Sequence, residues 1–236
     1  MAKKVSIIVP VFNEEETINK VINRLLKIHS KDFDKEIIIV NDGSIDNTKR
    51  ILSVFEKEKE IKLIEHKKNL GKGAAVRTGI KKATGDVIII QDGDLEYNPK
   101  EIINCIRPIL LGKEKVVYGS RFLDKKQRSK IMREGKILFF IGNQILTFLT
   151  NILFKTKISD EATCYKAFDV NIFKAIKIDS NGFEWEPEIT AKILKLGLSI
   201  KEIPISYCPR KKGKKIKYKD GLKAALTLIK YKFFYP

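Results

Sequence analysis

Val87-Ile88-Ile89-Ile90 runs without a break into Gln91-Asp92-Gly93-Asp94-Leu95-Glu96, four β-branched residues followed at once by a turn that carries three carboxylates. A short uninterrupted apolar run bounded by turn residues is how a strand buried on both faces reads. The same join recurs along the chain. Val5 to Val9 leads into Pro10-Val11-Phe12-Asn13-Glu14, Glu36 to Val40 into Asn41-Asp42-Gly43-Ser44, and Val116 to Tyr118 into Gly119-Ser120-Arg121-Phe122, while Ile61 to Glu65 reads as a further strand. Amphipathic stretches fit between them, at roughly 14–28, 46–58 behind an Asp46 cap, 71–83, and 99–110 with Pro99 at its start. Strands alternating with helices over the first 120 residues predict an α/β domain with a mostly parallel central sheet. In such sheets ligands bind beyond the carboxyl ends of the strands, where these polar and acidic segments fall. Acidic segments converging on one edge repel one another unless a cation or hydroxyl groups take up their oxygens.

The 236 residues, 43% hydrophobic and 32% charged, suit one sizeable domain and exclude wholesale disorder. Cys105, Cys164 and Cys208 are odd in number and far apart, which excludes a disulfide framework and a zinc ribbon and makes a reducing compartment the expectation. The opening apolar run is too short for a signal peptide, so the protein is expected in the cytoplasm. His29 and His66 have no third ligand nearby in sequence and read as surface residues. Of the net charge of +18, residues 121–136 carry +5 and residues 207–236 carry +9, so two local basic surfaces hold most of the excess. Such surfaces suit nucleic-acid phosphates, an anionic membrane face or a diphosphate substrate.

Ile137 to Phe154 carries no charge over 18 residues and is bracketed by Lys136 and Lys155. Gly142, Asn143, Gln144, Thr147, Thr150 and Asn151 interrupt it, and Ile137, Leu138, Ile141, Ile145, Phe148, Leu149 and Ile152 follow a helical rhythm. An amphipathic helix, lying on the protein core or in a bilayer interface, fits this pattern better than a membrane span. Leu222 to Tyr235 interleaves Lys223, Lys230 and Lys232 with Leu226, Ile229, Tyr231, Phe233 and Phe234, a mixture that suits a lipid headgroup layer.

Within the acidic edge, Asp92-x-Asp94-x-Glu96 places carboxylates two apart, and two or three hard oxygens suit Mg²⁺ or Mn²⁺ shared with a diphosphate. The glycine-rich Asn69-Leu70-Gly71-Lys72-Gly73 has the spacing neither of a Walker loop nor of a dinucleotide fingerprint. Pro10-x-x-Asn13-Glu14, Asn41-Asp42-Gly43-Ser44, Asn69-x-Gly71-Lys72-Gly73, Asp92-x-Asp94 and Gly119-Ser120-Arg121-Phe122, in this order, resemble glycosyltransferase family 2. Within it they resemble the polyprenyl-phosphate hexosyltransferases, the subgroup of the dolichyl-phosphate mannose synthases. Later blocks extend the likeness over nearly the whole chain: Ser159-Asp160-Glu161-x-Thr163-Cys164-Tyr165-Lys166, Glu186-Pro187-Glu188, Pro204-Ile205-Ser206-Tyr207 and Gly213-Lys214-Lys215-Ile216.

The resemblance implies a single nucleotide-sugar-binding domain of the glycosyltransferase A-type fold over residues 1–236. Residues 1–120 would form the nucleotide-binding half, and residues 121–236, with amphipathic helices, the acceptor and membrane-facing half. It implies donor binding by Pro10, Asn13, Glu14, Asp42, Lys72, Arg77 and Asp92, with Glu14 near the ribose and Asp42, Lys72 and Arg77 around the base. Asp94 and Glu96 would hold the metal, Mg²⁺ or Mn²⁺. Glu96 stands where mannose synthases usually carry Gln, and Glu184 where the subgroup usually has Gly. Arg121, Arg133 and Arg210 would hold a phosphate, and Asp160 would orient the acceptor. The expected partners are a nucleoside diphosphate sugar such as GDP-mannose or UDP-glucose, a polyprenyl phosphate and the cytoplasmic membrane surface, with no nucleic acid. The transmembrane helices that many relatives append are not seen before Pro236, which leaves room for a separate membrane subunit. Rival expectations are a family 2 enzyme acting on a soluble or cell-surface glycan and, more distantly, an RNA-binding protein using the basic tail.

Overall fold

The computed structural model describes residues 3–133, 137–210, 213, 215–216 and 218–234; Lys136, Lys214 and Tyr235 of the stretches quoted above lie outside them. Seven strands form one sheet in the order β3-β2-β1-β4-β6-β5-β7. They are β1 (Lys3–Val11), β2 (Phe33–Asn41), β3 (Ile61–Glu65), β4 (Val87–Ile90), β5 (Val116–Ser120), β6 (Lys166–Asp169) and β7 (Lys201–Pro204). The central strand β1 pairs in parallel with β2 on one side and β4 on the other, aligning Ile7 with Ile37 and with Ile89. All five strands read from the sequence are present. The two that pattern reading missed, β6 and β7, are four residues each, and β6 runs antiparallel between β4 and β5. Neither Lys166-Ala167-Phe168-Asp169 nor Lys201-Glu202-Ile203-Pro204 carries the unbroken β-branched run that marks the equally short β4.

The helices are α1 (Ile18–Leu26), α2 (Thr48–Ser53), α3 (Lys72–Lys82), α4 (Ile102–Leu110), α5 (Lys125–Arg133), α6 (Ile137–Phe154), α7 (Ile172–Ala175), α8 (Trp185–Lys195) and α9 (Tyr218–Phe233). Successive strand residues point to opposite faces, so each face of the sheet acquires its own apolar cover. Ile37 and Ile39 join the main core with Ile18, Val21, Ile22 and Leu25 of α1, while Ile38 and Val40 meet Ala75 of α3. The main core includes Ile7, Ile89, Ile106 and Val117, all without solvent exposure.

Two helices are shorter than their amphipathic stretches suggest. The chain leaves β1 as a corner with Asn13 at φ 49°, its backbone N–H donating to Ser44 Oγ and that of Glu14 to Thr48 Oγ1, so α1 begins only at Ile18. Asp46 does accept the Thr48 N–H at the start of α2, but the helix stops at Ser53, just before Val54, which is 76% exposed.

Helix α3 lies tight on the sheet because Gly79 faces Ile8: a Cβ there would fall 2.4 Å from Ile8 Cγ2. Gly79→Ala should therefore destabilise the fold. Overpacking costs roughly 1–3 kcal/mol, more than the ~1 kcal/mol that Ala gains over Gly in a helix interior. Chemical denaturation measures the difference, and a more stable variant would contradict the packing.

Candidate active site

Beyond the carboxyl ends of β1, β2 and β4 the chain encloses a cavity of about 530 Å³. Pro10, Glu14, Asp42, Lys72, Asp92, Asp94, Glu96, Arg121 and Arg210 all line it, so most of the residues singled out in the sequence converge on one space. Their charges are matched in pairs. Lys72 Nζ lies 2.8 Å from Asp92 Oδ1 and 2.9 Å from Glu186 Oε1. Burial alone would lower the Lys72 pKa, but the two carboxylates hold it well above the ordinary lysine range. Arg210 Nη2 lies 2.9 Å from both carboxylate oxygens of Glu14 and 2.9 Å from Asp94 Oδ2, bridging the ends of β1 and β4. Lys215 Nζ adds a contact of 2.6 Å to Glu14 Oε1 and also donates to the carbonyls of Phe12 and Asn13.

Asp42 is held at the end of β2 by the N–H groups of Leu70 and Gly71, at 3.0 and 2.8 Å, and by His66 Nδ1 at 2.7 Å. His66 is thus not the surface residue expected: its Nε2 is 2.9 Å from Thr78 Oγ1 and its side chain is only 10% exposed. A histidine at a strand end meets a carboxylate that lies 24 positions away, which sequence proximity does not display. The glycines around Lys72 have a steric reason. Gly71 sits at φ 103°, its added Cβ would be 2.3 Å from the Asn181 carbonyl oxygen, and that of Gly73 would be 2.4 Å from the Ser180 carbonyl oxygen. Only glycine lets the amino end of α3 approach the loop before α8 so closely.

Four predicted residues fall elsewhere. Asn13 shapes the corner after β1, its Oδ1 accepting the Ile45 N–H. Arg77 points away from the cavity and donates to the carbonyls of Ile178, Asp179 and Ser180 and to Asn181 Oδ1, clasping the loop that leads into α8. Arg133 is exposed at the end of α5, beside a separate shallow recess lined by Asp124 and Ser206. Asp160 has no solvent exposure and forms a fork with Arg121, at 2.7 Å to both Nε and Nη2. It is in no position to meet an acceptor directly; it fixes Arg121 instead. The Arg121 guanidinium also lies 5.3 Å from the Phe122 ring centroid and 5.1 Å from that of Tyr207.

Other lining residues were not singled out as site residues: Tyr97, Cys164, Phe183, Glu186, Tyr207 and Lys215. Glu186 is the instructive one. It sits in the first turn of α8 beside Pro187, and the ion pair that brings it to Lys72 spans 114 positions.

Among the described residues no three His, Cys, Asp or Glu side chains meet as a ready-made cluster. Asp94 and Glu96 nevertheless form a sparse set of hard oxygen donors. Burial, with the charges of Asp92 and Glu96, pushes the Asp94 carboxyl up to about 7 against the opposing pull of Arg210. A divalent cation would relieve that repulsion, and a set of one or two carboxylates suits an ion that keeps other positions for diphosphate and water. The residues fit Mg²⁺ or Mn²⁺.

A mostly parallel seven-stranded sheet with carboxylates at the ends of its central strands is the architecture of the A-type glycosyltransferases. The structure of glucosyl-3-phosphoglycerate synthase from Mycobacterium tuberculosis in complex with Mn²⁺, UDP-glucose and phosphoglyceric acid shares it, with a TM-score of 0.74 at 17% identity over 98% of this chain and 80% of that one. The chain belongs to glycosyl transferase family 2, whose family model matches residues 6–177. It is 30% identical, over 98% of its length and 73% of the relative's, to a dolichyl-phosphate beta-glucosyltransferase of Trichomonas vaginalis. It is 31% identical, over 86% and 85%, to a UDP-N-acetylglucosamine–dolichyl-phosphate N-acetylglucosaminyltransferase of Methanococcus voltae.

Because Arg77 clasps a loop, Arg77→Ala should cost roughly 2 kcal/mol of stability, as loss of hydrogen bonds to a charged group does, and leave nucleotide affinity within about threefold. Denaturation and calorimetric titration with UDP and GDP separate the two. A large loss of affinity at unchanged stability would return Arg77 to the base pocket.

Proposed function

We propose that this glycosyltransferase moves a hexose, glucose or mannose, from a nucleoside diphosphate sugar to a polyprenyl phosphate at a membrane surface, inverting the anomeric centre. The observation that carries the reading is the make-up of one cavity: the carboxylate edge of Asp92, Asp94 and Glu96 shares it with Arg121 and Arg210. An anionic donor and an anionic acceptor need cations to hold them together, and arginine's planar fork suits phosphate oxygens. The relatives that act on dolichyl phosphate support the acceptor class.

The donor side lies with residues 1–120. Glu14, beyond β1, would meet the ribose, Asp42, beyond β2, and Lys72 the base, and Asp92 the nucleotide or sugar. Asp94 and Glu96 would hold Mg²⁺ or Mn²⁺, which supplies electrostatic stabilisation as negative charge develops on the departing nucleotide. Arg121 and Arg210 bind and orient the acceptor phosphate. A phosphate monoester loses its second proton near pH 6, so at neutrality the nucleophile is already largely anionic and no strong general base is required. Asp160, buried against Arg121, is then a charge partner of the phosphate clamp.

The membrane part rests on α6 and α9. Ile137, Leu138, Ile141, Ile145, Phe148 and Ile152 of α6 are exposed, as are Leu222, Leu226 and Phe233 of α9 and Phe234 just beyond it. Lys223, Lys230 and Lys232 share α9, and Lys232 Nζ lies 5.4 Å from the Phe154 ring centroid. An apolar face of this size among lysines is complementary to an anionic bilayer, where each basic residue gains on the order of 1 kcal/mol. By length and composition α6 could also cross a membrane. Its buried stripe of Asn143, Thr147 and Thr150, bound to the protein, favours lying in the interface.

Two measurements test this reading. With radiolabelled UDP-glucose or GDP-mannose, Mn²⁺ and polyprenyl phosphate, label should enter the organic phase, and Asp94→Asn should lower turnover at least about 100-fold with its melting temperature retained. Label that stays aqueous with soluble acceptors identifies a soluble glycan acceptor instead, and full activity of Asp94→Asn removes the metal assignment. In flotation, the protein should rise with phosphatidylglycerol vesicles at low salt and Phe148→Glu should stay behind. A wild-type protein that remains soluble overturns autonomous docking.

A further inference from the structure

Helix α6 is built inside out. Its buried positions include Asn143, Thr147 and Thr150, spaced at i, i+4 and i+7, while Ile137, Leu138, Ile141, Ile145, Phe148 and Ile152 are exposed. An amide and hydroxyls on the inner face of an otherwise apolar helix cost free energy unless each is hydrogen-bonded, so their partners indicate what the face is for. Thr150 Oγ1 donates to the Leu146 carbonyl of its own helix at 3.0 Å; the partners of Asn143, Thr147 and Asn151 lie on one segment, residues 158–162. Asn151 exchanges two hydrogen bonds with the Ile158 backbone, at 2.8 and 2.9 Å, and Thr147 Oγ1 accepts the Glu161 N–H at 3.0 Å. Asn143, only 8% exposed, spends both ends of its amide: Nδ2 donates to Asp160 Oδ1 at 2.9 Å and Oδ1 accepts the Ala162 N–H at 2.9 Å.

Those two contacts are the ones that matter for the cavity. The Arg121 guanidinium is gripped at Asp160, whose Oδ2 also accepts the Arg121 backbone N–H at 3.0 Å, and at the Ala162 carbonyl, 2.7 Å from Nη2. One amide therefore holds both anchors of one arginine. With Nε and Nη2 committed, Nη1 has no hydrogen-bond partner among the described residues, and Arg121 lines the cavity.

We propose that Asn143 is a positioning residue for acceptor binding: it locks α6 to Asp160 and Ala162 so that the Arg121 guanidinium is held with its Nη1 edge available to the acceptor's phosphate. The proposal rests on the acceptor being a polyprenyl phosphate, as argued above. It ties the helix whose outer face meets lipid to the cation that receives the lipid's headgroup, so α6 serves as the physical link between docking and acceptor capture.

The test compares wild type, Asn143→Leu, Arg121→Lys and the double variant in steady-state kinetics with polyprenyl phosphate in vesicles, varying donor and acceptor separately. Asn143→Leu keeps the heavy-atom branching of the side chain and removes both hydrogen bonds. It should raise the acceptor KM about tenfold and leave the donor KM within about twofold, the loss expected for hydrogen bonds that orient a charged group. In the Arg121→Lys background the same substitution should cost less than about twofold, since its effect passes through the guanidinium. Should Asn143→Leu fail to fold, Asn143→Ser, too short to span both partners, carries the same readout. An unchanged acceptor KM, equal rises in donor and acceptor KM, or a full penalty that persists beside Arg121→Lys would overturn the inference while leaving the acceptor class intact. A wild-type enzyme that binds sugar nucleotide but leaves polyprenyl phosphate unglycosylated overturns the acceptor class and this inference with it.

Discussion

Carboxylates gathered at the ends of parallel strands repel one another, and the rest of this molecule is arranged around that repulsion. Glu14, Asp42, Asp92, Asp94 and Glu96 reach one cavity because β1, β2 and β4 are adjacent and parallel, so their carboxyl ends coincide. The countercharges come from other elements and mostly from far along the chain. Lys72 arrives on α3, whose start is pinned by two glycines against the loop before α8; Arg210 and Lys215 follow β7. An edge of this kind is poised for polyanion chemistry, because each internal pair can be exchanged for a phosphate, a cation or a sugar hydroxyl with little change in net charge. Partly buried pairs are also where exchange is felt most, since low local dielectric magnifies both the attraction made and the one given up.

What was legible in the sequence was whatever repeats locally. Runs such as Val87 to Ile90 are long enough and apolar enough to declare a strand buried on both faces, and each strand advertises the polar residues at its own end. Hence the first five strands and the acidic edge could be read directly. The strands β6 and β7 could not, because Lys166-Ala167-Phe168-Asp169 and Lys201-Glu202-Ile203-Pro204 mix charged residues with single apolar ones and are recruited by their neighbours rather than by their own composition. The same limit explains the misplaced side chains. Arg77 on a helix, His66 at a strand end and Asp160 in a loop each have a partner 24 or more positions away, and nothing local distinguishes an arginine that clasps three carbonyls from one that faces a nucleotide.

Helix α6 shows how composition and placement can point in different directions. Its 18 uncharged residues read as an amphipathic helix on the core or in a bilayer interface, and the polar residues among them look like interruptions. In the fold Asn143, Thr147 and Asn151 face the protein because they bind the 158–162 segment, Leu146, Leu149 and Leu153 pack beside α9, and six large apolar residues are left outside. A soluble domain would ordinarily not leave so many large apolar side chains of two adjoining helices in water. The inner face thus carries specificity through Asn143, Thr147 and Asn151, each hydrogen-bonded to the 158–162 segment, while the outer face carries only area.

This division bears on the chemistry proposed for the cavity. Transfer to a phosphate asks little of the protein by way of proton abstraction, because the nucleophile is anionic before it arrives. The difficulty is to bring two anions together and to keep the acceptor in line with the bond that breaks. Proximity and orientation then dominate, and they require a cation that does not swing. Arg121 meets that requirement: a bidentate carboxylate, a backbone carbonyl and two aromatic rings hold it, and a helix amide fixes the carboxylate and carbonyl in turn. On the proposed reading, rigidity at the acceptor phosphate, rather than a stronger base, is what Arg121 and the groups that hold it supply.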